Sequence, residues 1–175
     1  MKIVVSTFVT VMLGAMGCAH AAADPCTTFK WDASREVALH RTTASPLAAG
    51  ATVAQAPDLR TDTLYALTLK PQETLEFAAP PSKKMLDDGA NAGLLKLRVS
   101  EAGQYRVAID SGFWLDIVRD GKTLDSVDFN GSAQCAGPRK IVVYELPANV
   151  DLWLQISAAA SPDARLTVTR VVKGS

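Results

Sequence analysis

The sequence is poor in the side chains that bind metal ions and carry out nucleophilic catalysis. Its 175 residues include two histidines and three cysteines. Because His20 lies in an N-terminal segment that we expect to be removed, a zinc or non-haem iron site would depend almost wholly on carboxylates. Basic and acidic side chains number 18 each, so no net charge attracts the chain to nucleic acid. We therefore predict neither a cofactor nor a nucleic-acid partner.

The common catalytic motifs are also missing. The sequence contains no G-x-S-x-G, H-E-x-x-H, G-x-x-x-x-G-K-[ST] or G-x-G-x-x-G, so we predict that the protein is not an enzyme. One catalytic alternative stays open, because two carboxylates at a suitable separation can hydrolyse a glycosidic bond. The candidate carboxylates for such a pair are Asp110, Asp116, Asp120, Asp125 and Asp128.

The N-terminal segment has the pattern of a secretory signal peptide. Lys2 precedes an apolar run over residues 3–16, and small residues before Asp24 offer a cleavage site. We predict a signal at residues 1–23, with a cut before Ala22 as a variant and a lipid anchor at Cys18 as a rival. No second long apolar run follows, so we expect no transmembrane span in the exported chain. The predicted location is periplasmic or secreted.

Removal of the signal leaves two cysteines, Cys26 and Cys135. Export places them in an oxidising compartment where disulfides form and persist, so we predict that they are bonded. Two buried free thiols are the alternative. The bond would tie the start of the exported chain to a late loop and close a loop of about 110 residues, which contributes on the order of 4 kcal/mol in the chain-entropy account.

Most of the remaining chain has the two-residue periodicity of β-strands. Strand-like runs occupy residues 63–69, 73–77, 94–99, 104–110, 113–118, 123–129, 140–146, 151–157 and 165–172. The Asp120-Gly121 turn predicts that runs 113–118 and 123–129 pair as a hairpin. Short strands at this spacing predict an all-β, antiparallel β-sandwich, jelly-roll-like, of about eight to nine strands.

The first part of the exported chain lacks this periodicity. Residues 24–62 form an irregular N-terminal lead, with one helical turn or an edge strand at 34–41 and an N-cap candidate at Ser34. So short a segment cannot bury a core unaided. We therefore predict a single domain over residues 24–175, in which the lead packs on a strand-rich body at 63–175.

Alternation assigns one face of several strands to the core. The apolar stripes are Leu152, Leu154 and Ile156; Phe113, Leu115 and Ile117; and Tyr105, Val107 and Ile109. The residues between them are predicted to face solvent and include Trp114, Asp116, Trp153, Gln155 and Arg106. Indole rings beside polar groups are typical of a carbohydrate-binding face. Either tryptophan could instead pack beneath a loop or the lead.

Residues 126–131 invite comparison with a calcium loop. Asp128 and Asn130 stand where such a loop has ligands, but Gly137 occupies the place of its bidentate glutamate. The sequence is therefore not an EF-hand. A weak calcium site at Asp128 and Asn130 remains an alternative to a simple Asn-Gly turn, and we predict no metal.

Several short runs resemble known sequences. Residues 101–105 (EAGQY), the Asp120-Gly121 hairpin and residues 145–147 (ELP) resemble bacterial pre-peptidase C-terminal-type β-sandwiches. Residues 29–32 (FKWD), 83–86 (KKML), 113–116 (FWLD) and 135–140 (CAGPRK) are similar to small exported proteobacterial proteins of unassigned function. The resemblance implies a sandwich and export. A homogentisate dioxygenase label carried by some such proteins does not fit, because this chain lacks the two-histidine iron site.

These observations predict an exported, monomeric, non-catalytic binding or accessory module of the bacterial envelope. The candidate partners are an envelope glycan, a peptide or a protein. A small hydrolase that uses carboxylates is one alternative. The other is a structural or inhibitory protein that binds a partner through strand edges.

Overall fold

The computed structural model describes residues 24–83 and 89–172, and these residues are mostly β-structure. The predicted signal at residues 1–23, with Cys18, lies outside the described residues. One α-helix, α1, spans Ser34–His40, and short 3-10 helices span Pro25–Thr28, Val53–Gln55 and Gln72–Thr74. The strands are β1 (Ser45–Ala48), β2 (Asp58–Leu59), β3 (Tyr65–Thr68), β4 (Lys70–Pro71), β5 (Asn91–Leu97), β6 (Gly103–Ile109), β7 (Trp114–Arg119), β8 (Lys122–Leu124), β9 (Ser126–Gly131), β10 (Lys140–Leu146), β11 (Leu152–Ala159) and β12 (Asp163–Arg170).

The strands form two six-stranded sheets. The first has the order β1-β3-β12-β6-β10-β9, and the second has β2-β5-β11-β7-β8, with β4 also paired to β5. Both sheets are mixed, because β1 pairs parallel with β3 and β2 pairs parallel with β5. The expectation of a purely antiparallel fold is therefore wrong at these two pairs. Each parallel pair joins a strand of the lead to the body across a connection longer than a hairpin turn.

Side chains from both sheets form one hydrophobic core. All nine residues of the three predicted apolar stripes are buried in it, which confirms their assignment to the core. Leu154 on β11 and Ile117 on β7 are fully buried, as is Val107 from the other sheet. Burial of each such side chain stabilises the fold by roughly 1.5–3 kcal/mol.

The Asp120-Gly121 turn forms a hairpin, as predicted. Asp120 and Gly121 have φ angles of 50° and 71°, and Arg119 pairs with Lys122 across the turn. The second strand is shorter than expected, however. The predicted run 123–129 breaks at Asp125, where the chain leaves β8 and enters β9 of the other sheet. This crossover places the edge strands of both sheets next to each other along the chain.

The lead is more regular than predicted, since it contains α1, β1 and β2. Ser34 is the first helical residue rather than the N-cap. The N-cap is Ala33, whose side chain makes no capping hydrogen bond. The Ser34 N–H donates instead to the Asp32 carboxylate at 2.9 Å. The buried residues of α1 are Glu36, Val37 and His40, which share one helix face because positions three and four apart are neighbours.

A disulfide-distance pair joins the lead to the body. The Cys26 and Cys135 sulfurs lie 2.03 Å apart, which confirms the predicted pairing. Beside it, Phe29 and Val37 of the lead form a second buried cluster with Ala108 and Ile141 of the body. The lead therefore covers the outer face of the first sheet.

The segment before β5 differs from its prediction. Residues 73–77 form no strand, because a 3-10 helix spans Gln72–Thr74 and irregular chain follows it. Residues 78–83 then cross the outer face of the second sheet, and residues 84–88 lie outside the described part. Within the described residues, no helix has the length and apolar character needed to cross a membrane.

Candidate functional site

Three of the residues expected to face solvent are buried. Asp116 is 4% exposed, Gln155 is 1% exposed and Arg106 is 7% exposed. The alternation was read correctly, since these side chains do lie opposite the core. Their exposure was predicted wrongly because other segments cover both outer faces, and the prediction assumed that a face opposite the core meets water.

Arg106 belongs to a buried network beneath the lead. Its Nη1 donates to the Asp32 carbonyl at 2.7 Å and to the Glu36 carboxylate at 3.4 Å. The guanidinium carbon lies 5.3 Å from the centre of the Trp31 ring, and Thr169 donates its hydroxyl to Glu36. This arrangement binds the lead to the first sheet and leaves Arg106 no access to a ligand.

Trp114 and Trp153 share a face of the second sheet but do not form one platform. Strand pairing sets Trp153 opposite Val118 and Trp114 opposite Ser157. The two tryptophans are thus separated by about 13 Å along the strands, at about 3.3 Å per residue. Trp153 is half-buried and contacts Lys96, whose Nζ lies 5.6 Å from the centre of the indole ring.

Trp114 instead borders a cleft of about 240 Å³ between the strand edges. We call this the Trp114 cleft. Its lining includes Ser82, Trp114, Asp116, Asp125, Phe129, Lys140 and Tyr144. The cleft exists because β8 and β9 are edge strands of different sheets, which leaves a gap between the layers at that side.

A strap formed by residues 79–82 supports one wall of the cleft. Asp116 accepts hydrogen bonds from the Ser82 N–H at 3.1 Å and from the Trp114 Nε1 at 3.0 Å, and also from the Ser82 hydroxyl. Gln155 accepts from the Ala79 N–H at 3.3 Å and donates to the Ala79 carbonyl at 3.1 Å. The Gln155 amide also donates to Asp116 at 3.4 Å. Asp116 and Gln155 therefore position the strap and the indole ring.

Two lysines contact the Trp114 ring. The Nζ atoms of Lys83 and Lys140 each lie 5.2 Å from its centre, within the range of a cation–π interaction. Burial lowers the pKa of Lys140, and the nearby Lys83 ammonium lowers it further, while Asp116 acts in the opposite direction. The site thus holds two like charges at one ring.

The other aromatic residues of the cleft have different roles. Phe129 is 64% exposed and presents its ring to solvent. Tyr144 is buried, and its hydroxyl donates to the Leu115 carbonyl at 2.9 Å. Burial raises the pKa of Tyr144 far above its usual range. Of these two rings, Phe129 is therefore the one that a ligand can reach.

A second depression of about 460 Å³ is also lined by Phe129. It shares Phe129 and Lys140 with the Trp114 cleft and adds Arg139 and Asn130 to the lining. The two depressions are therefore adjacent, with an exposed aromatic side chain and a cation at their boundary. This geometry suits an elongated ligand better than a compact one.

The residues of the weak calcium candidate have protein partners. Asp128 forms an ion pair with Lys30 and accepts the Phe129 N–H at 2.8 Å. Asn130 accepts the Lys30 N–H at 3.3 Å. Their oxygens attach the lead to β9, and nothing in these contacts favours a cation site. Within residues 24–83 and 89–172, no three histidine, cysteine, aspartate or glutamate side chains group as metal ligands.

Sequence reasoning missed Phe129, Lys83 and Lys140 as site residues. A signal for Lys140 existed, because it has the same strand parity as the inward-facing Val142 and Tyr144. For Lys83 no signal existed, since it follows an irregular segment whose path depends on distant contacts.

Comparison with known proteins adds nothing to this geometry: no family model, curated protein or solved structure matches the chain. The function is therefore argued from the residues of the cleft and their surroundings.

Proposed function

We propose that this protein is an exported, non-catalytic binding or accessory module of the bacterial envelope, and that it holds a glycan in the Trp114 cleft. The observation that carries the proposal is the exposed Phe129 ring at the boundary of two adjacent depressions. An aromatic face packs on the C–H groups of a sugar, while polar groups beside it bond the hydroxyls. Here the polar groups are Ser82, Asp125 and Lys140.

Export is part of the proposal and has two supports. Residues 1–23 have the charge and hydropathy pattern of a signal peptide. The disulfide-distance pair Cys26–Cys135 is compatible with an oxidising compartment. We also propose that the two sheets pack as a jelly-roll-like sandwich. The resemblance to pre-peptidase C-terminal-type domains is likewise a proposal.

A hydrolase that uses carboxylates is the second candidate, because Asp116 and Asp125 line the same cleft. The contacts of Asp116 argue against it. Four donors from Ser82, Trp114 and Gln155 already bond its two oxygens. A catalytic carboxylate must reach the scissile bond, whereas this one is directed into the strap. Asp116 is better explained as a positioning residue.

Partner binding through a strand edge, the remaining alternative, meets an obstacle at β9. The Phe129 N–H donates to the Asp128 carboxylate at 2.8 Å. Lys30 of the lead forms an ion pair with Asp128 and donates its N–H to Asn130. Side chains that cap an edge in this way oppose the addition of another strand.

Affinity electrophoresis of the exported protein tests the proposal. The full chain is expressed with its export segment, and the purified product is run through native gels containing dissolved neutral β-glucan or polygalacturonate. We expect retardation by at least one glycan, and loss of that retardation in Phe129→Ala. Val127→Ala is the matched control, because Val127 is 52% exposed on the same strand and does not line the cleft.

Two results would contradict the proposal. Equal retardation of the Phe129→Ala and Val127→Ala proteins would place the glycan elsewhere on the molecule. Release of new reducing ends from the glycan, abolished by Asp125→Asn, would favour the hydrolase.

A further inference from the structure

We propose that the ligand of the Trp114 cleft is a carboxylated glycan, with a uronate carboxylate held between Lys83 and Lys140. This inference rests on the proposed function and specifies its substrate class. The supporting observations are the charged side chains at the cleft and the ion pairs that the described residues form.

Within residues 24–83 and 89–172, neither ammonium group has a carboxylate partner at ion-pair distance. Among the described residues, ion pairs within 4.0 Å involve neither Lys83 nor Lys140. Both Nζ atoms nevertheless lie 5.2 Å from the centre of one indole ring. Like charges held close together repel each other, so an anion between them would remove an unfavourable interaction. A neutral ligand would leave that repulsion in place and would bury the charge further.

Asp116, the carboxylate whose charge acts on Lys140, has other hydrogen-bond partners. It bonds Ser82, the Trp114 indole and Gln155, and only its longer-range field acts on Lys140. Asp116 therefore fixes the ring that supports the lysines without neutralising them. The cleft keeps positive charge available for a ligand.

A third cation continues this pattern beyond Phe129. Arg139 lines the adjacent depression together with Lys140, and its side chain has no ion-pair partner in the described part of the chain. Cations thus occur in both depressions, with the exposed Phe129 ring between them. A polyuronate chain presents carboxylates at a regular spacing and apolar C–H faces between them. Its chemistry matches this alternation of cation, aromatic ring and cation.

An acidic peptide would offer carboxylates too, but the backbone here favours a glycan. Peptides commonly bind an exposed sheet edge by adding a strand. At β9 the Phe129 N–H is already bonded to Asp128, and Lys30 bonds the side chains of Asp128 and Asn130 on either side of Phe129. Binding in the cleft therefore depends on side chains, which suits a ligand that needs no strand pairing.

Isothermal titration calorimetry on the exported protein tests the inference. The probes are galacturonate oligomers, uncharged gluco-oligomers of the same length, and poly-glutamate. We expect the galacturonate oligomer to bind, with affinity that falls as salt screens the charges, and the gluco-oligomer to bind at least about tenfold more weakly. Lys140→Gln and Lys83→Gln should each weaken galacturonate binding about tenfold or more.

Lys122→Gln is the matched control, since Lys122 is an exposed lysine at the start of β8 that lines neither depression. Lys83 is exposed, so its variant provides the test should the half-buried Lys140 variant fail to fold. Thermal melts by circular dichroism establish the fold of each variant before titration.

The outcomes separate the inference from the proposed function. Equal binding of both oligomers, unchanged in the lysine variants, would overturn the inference and leave glycan binding intact. Poly-glutamate binding as tightly as galacturonate would overturn the choice of a glycan. Absence of binding to either oligomer would overturn both.

Discussion

The Asp116 carboxylate accepts a hydrogen bond from the Trp114 indole at 3.0 Å, although the two residues are only two positions apart on β7. The same carboxylate accepts the Ser82 N–H at 3.1 Å. One buried acidic side chain thus orients the ring that Lys83 and Lys140 contact and holds the strap that Lys83 directly follows. The geometry of the candidate site depends on this contact.

Replacement of Asp116 tests that dependence. Asp116→Ala removes the acceptor of the Ser82 N–H and hydroxyl, and one of the two acceptors of the Trp114 and Gln155 donors. We therefore expect the free energy of unfolding to fall by about 1–3 kcal/mol. Asp125→Ala, at an exposed position of the same cleft, should change it by less than about 0.5 kcal/mol. Urea denaturation of both variants measures the difference. Similar small losses at the two positions would show that Asp116 does not anchor the strap.

The buried pair of Arg106 and Glu36 should be far more important to stability than an exposed pair. Arg106→Leu leaves Glu36 charged and buried, which costs about 3–5 kcal/mol. Arg98→Leu breaks a contact of 3.6 Å between exposed side chains of Arg98 and Asp151 and should cost at most about 1 kcal/mol. Chemical denaturation compares them. A cost below about 1 kcal/mol for Arg106→Leu would mean that the lead is not held by this network.

Acidification should destabilise the protein through His40. This histidine is 4% exposed, with its Nε2 3.4 Å from the Ala108 carbonyl, and burial lowers its pKa. Because the unfolded chain then binds the proton more tightly than the folded protein does, the contribution of neutral His40 to the free energy of unfolding is complete above pH ~6.5. It is lost as the pH falls from there through the lowered pKa, by up to about 1.4 kcal/mol per pH unit.

The measurement is the free energy of unfolding between about pH 7 and pH 5.5, around the ordinary histidine pKa. His40→Gln should flatten this dependence, since His40 is the one histidine in residues 24–175. An unchanged slope in the variant would assign the pH dependence to other groups.

The pKa of Lys140 should be lower than that of an ordinary lysine, and it should change when Lys83 is replaced or when a ligand binds. Burial and the Lys83 ammonium lower the pKa of Lys140. In Lys83→Gln that pKa should rise, because one of the two causes is gone, and a bound uronate oligomer should raise it in the wild type. Affinity for the oligomer should correspondingly decrease as the pH rises through this pKa. NMR of the lysine side-chain carbons measures both changes in the pKa. An unchanged Lys140 pKa in Lys83→Gln would contradict the arrangement at the ring.

The stripes of the core could be predicted from sequence because alternation is a local signal. Leu152, Leu154 and Ile156 alternate with polar or aromatic neighbours, and one face of a strand must meet the core. The break at Asp125 could not be predicted. The apolar positions change parity there, from Leu124 to Val127 and Phe129, but a β-bulge within one strand has the same pattern. Only the surrounding strands determine that the chain crosses from one sheet to the other.

The candidate site could be predicted less well than the core stripes, because it depends more on contacts between residues far apart in the chain. Asp116 and Gln155 were correctly placed opposite the core, but their burial comes from the strap at residues 79–82, which lies 34 to 76 positions away in the chain. Arg106 is buried by Glu36, 70 positions away. Periodicity describes which side of a strand a residue occupies. It carries no information on which distant segment covers that side.

Chemical-shift mapping tests the central claim, that the Trp114 cleft binds a glycan, most directly. The purified protein, labelled with nitrogen-15, is titrated with a galacturonate oligomer while its backbone and indole resonances are followed. The account predicts that the largest shifts occur at Ser82, Phe129 and Lys140 and extend to Arg139 in the adjacent depression. Shifts confined to the surface around Trp153 and Lys96, or the absence of any localised shifts, would contradict it.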